Sequence, residues 1–501
     1  MSRRVRGTRV TGAIPQPPFG QVPRLYAPIE VITTDQVEAI HRAALRVLAE
    51  IGMRVLDGPA RGLYAGAGAR VVGETVFLDP GLVEELLATV PARFTLAARN
   101  PAKNLRLGGA DCVYTSVGGP AYVMDLDRGR RDGTFAEMQD YLRLIQGLNV
   151  IHQEGGGPFE PLDLPSATRH LDIYLAQITL LDKSWQTQTL GRARTLDGLE
   201  MAALMFGVAR DQLPCALVGI INTNSPLTLD IPMAEGLVTM AEHGQVNVIT
   251  PFTLSGAMAP VTLAGALVQQ HAEALAGIVL TQIVRPGVPV MYGGFTSNVD
   301  MRSGAPAFGT PEYAKAAQAS GQLARRIGVP FRSSNVTAAN AVDAQAAYES
   351  QMALWGAIMG GAHLLEHGAG WMHGGLTASF EKLMLDAEML GMMQAYLTPI
   401  ATDEAALGLA AIADVGAGGH FFGTEHTMGR YETAFHAPML SNWDNYPNWL
   451  ERGAEELPAR ANRLWKQMLA EHEDPGLDEG LAEALGEYVE RRKREGGAPM
   501  N

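Results

Sequence analysis

The 501 residues carry 53 acidic against 39 basic side chains, a formal net charge of -14, which excludes a nucleic-acid binder built on a basic face. A hydrophobic content of 47% is that of a globular protein with a large core, and the length suits two to three domains or one α/β barrel with additions. The two cysteines, Cys112 and Cys215, lie far apart, so neither a disulfide framework nor a cysteine-based metal spacing is expected.

Residues 1–32 form a Pro-rich tail. Arg3, Arg4, Arg6 and Arg9 are followed by Pro15, Pro17 and Pro18 instead of an apolar core, so this is not a secretory signal. No apolar run reaches the ~20 residues of a membrane span, and a cytoplasmic protein is expected. The first firm helix starts at Thr33, which forms a capping box with Gln36. Val37, Ile40, Ala44, Val47, Leu48 and Ile51 then fall on one face, and Gly52 ends the helix. Residues 53–125 mix short strands with one helix near Pro80–Thr89, and 33–148 read as an N-terminal α+β cap.

From Ile151 a rhythm sets in. Strand-like runs occur at Ile151–Glu154, Trp185–Leu190, Ala216–Asn222, Asn247–Thr253, Pro289–Phe295, Pro330–Asn335 and Ala362–His367. Helix-length runs lie between and after them, at 166–182, 193–210, 230–243, 261–284, 311–328, 342–360 and 378–397. Repeated βα units imply a parallel sheet with right-handed crossovers. With an eighth strand at Gly419–Gly423, residues 149–430 are expected to close into a TIM (β/α)8 barrel, followed by a C-terminal helical extension over 431–501. An open doubly wound sheet is the alternative, but the full dinucleotide fingerprint is missing from both Gly66-Ala67-Gly68 and Gly416-Ala417-Gly418-Gly419.

The C-terminal ends of barrel strands face the reaction chamber. Here they read Glu154-Gly155-Gly156-Gly157, Gln186 with Gln188, Asn222 with Asn224, Thr250 with Phe252, Tyr292 with Phe295, Ser334 with Asn335, and Glu366 with His367. The set is rich in amides and aromatics and poor in charge. Lys183 precedes its strand, which argues against Schiff-base chemistry. Such a lining suits a quaternary ammonium held by aromatic faces. Trp371, Phe295, Phe252 and Tyr292 are the chosen faces, with Trp185 and Phe331 as further candidates. The bland reading of each aromatic is packing. Trp371 stands out because it sits in a Gly-rich turn beyond His367.

His363-Leu364-Leu365-Glu366-His367 spells H-x-x-E-H, the inverted zinc-peptidase pattern. Glycines on both sides oppose a long helix there. On a strand the two histidines would stand ~13 Å apart, too far to share one zinc. A zinc hydrolase using His363, Glu366 and His367 is therefore a minor alternative, as is a non-catalytic binder of betaine-like solutes. No metal bound by the chain itself is expected.

Several segments resemble the trimethylamine methyltransferase family. They are Phe308-Gly309-Thr310-Pro311-Glu312-Tyr313, Val342-Asp343-Ala344-Gln345 through Tyr348-Glu349, Glu366-His367-Gly368-Ala369-Gly370-Trp371 and Leu383-Met384-Leu385-Asp386-Ala387-Glu388. Gly418-Gly419-His420, Glu425-His426-Thr427 and Tyr446-Pro447-Asn448-Trp449 follow in order. The resemblance implies a TIM barrel that moves a methyl group from a methylated amine to the cobalt of a corrinoid. The founding branch uses pyrrolysine. This chain has only standard residues and looks like the non-pyrrolysine branch, which includes glycine betaine:corrinoid methyltransferases. The corrinoid proteins of the family carry a D-x-H-x-x-G motif that this chain lacks, so the cobalamin is expected on a small partner protein. On this reading His367 and Glu154 carry the chemistry. Trp371, Phe295, Phe252, Tyr292, Gln188, Asn222, Asn335 and Glu366 hold the substrate, and His426, Gly368 and Gly370 face the corrinoid. Asp343 is expected to cap its helix. A homo-oligomer is left open.

Overall fold

The computed structural model describes residues 14–498, so the basic segment with Arg3, Arg4, Arg6 and Arg9 lies outside the described residues. The chain is mixed α/β and is organised around a seven-stranded parallel sheet. Its strands are β1 (Val113–Ser116), β2 (Gln186–Thr187), β3 (Val218–Thr223), β4 (Val246–Pro251), β5 (Val290–Gly293), β6 (Phe331–Ser334) and β7 (Leu364–Ala369). The order across the sheet is β1-β7-β6-β5-β4-β3-β2, and every pairing is parallel. Strands buried on both faces need apolar side chains on both, which explains the run Val290-Met291-Tyr292 in β5 and the buried Val246, Val248 and Ile249 in β4.

The helices follow the strands as the periodicity predicts. After α1 (Thr34–Arg46) and α2 (Phe135–Gly147) come α3 (Arg169–Leu180), α4 (Arg192–Phe206), α5 (Ile231–Glu242), α6 (Leu263–Val284), α7 (Pro311–Arg326), α8 (Ala344–Gly360) and α9 (Phe380–Leu397). Two more, α10 (Leu457–Ala470) and α11 (Glu479–Arg494), end the described chain. The capping box of Thr33 and Gln36 forms as expected, and Gly52, at φ 80°, closes a terminal π turn over Val47–Ile51. Asp343 caps α8 by accepting from the amides of Gln345 and Ala346. Helix α6 is long and apolar enough to cross a bilayer, contrary to the expectation that no run is. Most of it is buried: β4 and β5 pack on one side, and α1 and the helices Gly58–Gly66 and Pro80–Leu87 on the other. Cover on both sides accounts for its apolar circumference.

Three expectations are corrected. Gly419–Gly423 forms no strand; it is exposed turn and coil after the helix Leu409–Val415. Val113–Ser116, read as part of the cap, is instead strand β1, and a helix, α2, follows it. The βα rhythm therefore begins one unit earlier than the sequence suggested. The expected strand Ile151–Glu154 contributes a single bridging residue. Gln153 makes parallel bridges to Thr115 of β1 and to Ser184 just before β2, between the two edges of the sheet.

A smaller sheet lies beside the C-terminal ends of these strands. The hairpin Tyr122–Asp125 with Gly129–Asp132 pairs in parallel with Thr377–Ser379, which pairs antiparallel with Trp371–Met372. That pairing fixes the backbone carrying Trp371. The segment from 400 to 450 is mostly exposed and includes Ile400, Phe422 and Phe435, each more than 80% accessible.

Candidate active site

A cavity of about 630 Å³ lies at the C-terminal ends of the strands. Residues that end or follow β1, β2, β3, β4, β5 and β7 line it, together with Arg332 from within β6. Glycines make room for it. Side chains on Gly118 or Gly155 would collide with the backbone of the neighbouring segment, so the chains can approach only as glycines. Gly375, at φ 96°, lies under the Trp371 indole, where a Cβ would come within 2.5 Å of the ring.

Aromatic rings form one wall. The Phe252 and Phe295 centroids are 5.2 Å apart, Phe295 lies 6.1 Å from Trp371, and Trp371 lies 4.2 Å from His367. Phe308 backs both Phe295 and Trp371. His367 adopts φ 54°, a left-handed conformation that is strained for a residue with a side chain. Burial, helped by the nearby Arg332 charge, holds its imidazole well below the usual histidine range, so it is neutral at physiological pH. Its buried Nδ1 and the buried Nε1 of Trp371 lack hydrogen-bond partners.

The charged groups sit together beneath this wall. Glu366 accepts hydrogen bonds from Thr115 Oγ1 at 3.1 Å and Gln186 Nε2 at 2.9 Å. Its carboxyl is pushed up by burial and drawn back by the Arg332 charge. Glu154 accepts from the amides of Gly156 at 2.9 Å and Gly157 at 2.6 Å, and from Gln177. Burial is the main cause that pushes it up to about 7. Arg332 is 1% exposed; its Cζ lies 5.3 Å from the Phe295 ring centroid, and its buried Nε and Nη1 have no partner.

Of the residues expected at the site, Gln188, Asn222, Phe252, Phe295, Glu366, His367 and Trp371 line the cavity. Glu154 lies behind it and holds the Gly156–Gly157 turn. The place expected for Tyr292 in the aromatic wall is corrected. Its ring is turned toward α6, where the hydroxyl meets Gln270 and His271. Residues three apart in extended chain face opposite sides, so Tyr292 and Phe295 do not share a wall. Trp185 stacks on Tyr174, and Phe331 packs against Tyr292, both outside the cavity. Asn335 is also behind the lining, donating to the Gly368 carbonyl at 2.9 Å. Gly368 and Gly370 form the backbone behind Trp371, where the Gly370 amide donates to Asp386 at 2.8 Å. His426 is remote, with Nε2 against the Ala405 carbonyl. His363 uses both ring nitrogens on backbone groups, the Phe331 amide and the Gly109 carbonyl, so it does not join His367 in a shared site.

Sequence reasoning missed Arg332 as a site residue, and placed Gln186 at a strand end without giving it a role. The signal was present as an arginine inside an otherwise buried strand, where an unpaired charge is costly. Lys183 has no place in the cavity. Its ammonium donates to the carbonyls of Ile145, Leu148 and Ile151.

An aromatic-walled cavity with buried carboxylates, at the strand ends of a parallel sheet, is the setting of a small-molecule enzyme. Residues 2–497 match the family described as trimethylamine methyltransferase (MTTB). A glycine betaine methyltransferase of Desulfitobacterium hafniense is 36% identical over 470 residues, covering 93% of this chain and 98% of that protein. Trimethylamine methyltransferase MttB2 of Methanosarcina mazei is 26% identical over 487 residues, covering 93% of this chain and 96% of its own. The fold is similar to that of the Methanosarcina barkeri monomethylamine methyltransferase (MtmB), with a TM-score of 0.51 at 9% identity over 91% of this chain and 88% of that one. The chain belongs to the trimethylamine methyltransferase family and is a methyltransferase of that family.

Proposed function

We propose that the protein transfers a methyl group from a small quaternary amine, glycine betaine or a close relative, to cobalt(I) of a corrinoid carried by a partner protein. The aromatic wall of Phe252, Phe295 and Trp371 beside buried Glu366 carries this reading, since aromatic faces and a carboxylate together attract a cation with no dissociable proton. The similarity to a glycine betaine methyltransferase supports the same substrate class.

In this reading the sheet is a closed (β/α)8 barrel, with Gln153 supplying the short strand between β1 and β2. The methyl acceptor is a second substrate that docks over the strand ends. The C–N bond breaks with its electron pair left on nitrogen, the methyl carbon bonds to the nucleophile, and a neutral tertiary amine leaves. That leaving group needs no proton, so the task of the chain is to orient the methyl and exclude water. Phe252, Phe295 and Trp371 hold the ammonium head and Glu366 balances its charge. Neutral His367, fixed against Trp371, positions the reacting end.

An absorbance assay with cob(I)alamin and a panel of quaternary amines tests the reading. Conversion to the methylcobalamin spectrum with release of the demethylated amine is the expected result for one betaine. Silence across the panel with intact cob(I)alamin and a corrinoid protein present would sink it.

A further inference from the structure

We propose that Arg332 is the carboxylate-recognition residue of this cavity, so that the donor it selects is a zwitterion whose quaternary ammonium is joined to a carboxylate by a short linker. This rests on the quaternary-amine reading and narrows it to carboxylated donors.

The guanidinium of Arg332 is buried with hydrogen-bonding capacity unused. Arg332 is 1% exposed, lines the cavity, and leaves Nε and Nη1 buried without a partner. A buried guanidinium without a hydrogen-bonded counter-charge is costly, and the cost is offset when a ligand supplies one. Glu366 attracts the guanidinium electrostatically but makes no hydrogen bond to Nε or Nη1; its oxygens accept from Thr115 and Gln186. Two further buried nitrogens on the same cavity are also without partners, Trp371 Nε1 and His367 Nδ1. An indole N–H can only donate, and Nδ1 of a neutral imidazole donates in one of its tautomers. Three unpartnered groups with donor capacity around one cavity describe a receptor for an anionic oxygen. The planar guanidinium suits a carboxylate in particular.

The amides expected to hold a carboxylate are less free. Gln188 Oε1 accepts from Arg194 at 3.1 Å, and the Asn335 amide donates to Gly368. The aromatic wall touches the same place, with Phe295 beneath the guanidinium. A donor with both charges can therefore meet the rings with its ammonium and Arg332 with its carboxylate, without spanning the whole cavity.

The test is calorimetric binding to the full chain, so it needs no turnover. Three probes separate the charges: glycine betaine carries both, choline lacks the carboxylate, and 3,3-dimethylbutyrate keeps the carboxylate with a neutral tert-butyl head. The native chain should bind glycine betaine at least about tenfold tighter than choline. Arg332→Gln should weaken glycine betaine and 3,3-dimethylbutyrate by about 10- to 100-fold, the range for a hydrogen bond to a charged group, and choline by less than about threefold. Trp371→Phe keeps a ring and removes the N–H, guarding against an Arg332 variant that fails to fold. Because that ring also holds the ammonium head, choline weakens too, and 3,3-dimethylbutyrate, which has no cation, reports the lost N–H by a smaller factor. Unchanged 3,3-dimethylbutyrate binding in Trp371→Phe, or equal loss for choline and glycine betaine in Arg332→Gln, would overturn the proposal. So would a native chain that binds the two equally, although the quaternary-amine reading would survive. A native chain that binds none of the three overturns both.

Discussion

Glu154 shows how burial, helped by the nearby Glu366 charge, sets a titration. Its carboxyl stands at about 7 against an ordinary value of 4.5 because burial outweighs the three hydrogen bonds it accepts. Between those values the folded chain keeps a proton that the unfolded chain has lost. The stabilising contribution is therefore complete below about pH 4.5 and is lost as pH rises, with the loss complete above about 7. It amounts to on the order of 3 kcal/mol. Glu154→Gln should flatten the fall in stability between pH 4.5 and 7.5 by that order, read as the difference in urea midpoints. A variant with the same pH slope as the native chain would contradict the assignment. At this scale the sequence was legible where chemistry and position coincide. Phe295, Glu366, His367 and Trp371 are unusual residues at or just beyond predicted strand ends, and they line the cavity. Arg332 was hidden because one arginine within a strand reads as a solvent-facing residue until both faces are known to be covered. Tyr292 was misplaced because the side on which a strand residue points depends on a register that composition does not reveal.

Helices α8 and α9 show how a motif can be structural support. Lys382 and Asp386, one turn apart in α9, form a fully buried ion pair, and Lys382 also donates to Ser350 of α8. The second oxygen of Asp386 receives the Gly370 amide, which anchors the turn preceding Trp371. Glu388, two residues further along, accepts from the Met439 and Leu440 amides and ties down the chain within the mostly exposed segment 400–450. Removing one member of a buried pair leaves the other charge uncompensated, whereas removing both can be nearly neutral. Asp386→Ala should cost about 3–5 kcal/mol in urea denaturation, and Asp386→Ala with Lys382→Met should recover most of it. If the double variant is as unstable as the single one, the pair is not the cause. The helices were readable because each is a helix-length run set between strand-like runs, whether amphipathic or, like α6 and α9, buried nearly all round. Strand β1 and helix α2 were not recognised as the opening βα unit, since a four-residue strand followed by a hairpin resembles the irregular cap before it.

Across the whole molecule, burial is uneven. The sheet and its helices are closely covered, while residues 400–450 lie mostly in solvent and hold only short helices. Limited trypsin treatment is therefore expected to cut first at exposed Arg430 or Arg452, before any site within the sheet. Mass spectrometry of the first fragments checks this, and an initial cut between β2 and β7 would contradict it. The parallel sheet was legible in the sequence because its strands and helices alternate at regular spacing. Which strand completes it was not, since that depends on a pairing between distant parts of the chain.

That pairing bears on how the protein comes into being. Strand β1 lies beside β7, with Val113 opposite Leu364 and Ser116 opposite Ala369. During synthesis β1 leaves the ribosome long before its neighbour exists, with one edge unmatched. Contacts between such distant residues make for slow folding and leave open edges exposed to aggregation. Phe295, Arg332, Glu366 and Trp371 come from the turn after β5, from β6, from β7 and from the turn beyond, so the cavity cannot form until translation has passed β7. A nascent chain halted before Leu364 holds β1 without its partner, and at this stage its open edge is exposed to aggregation.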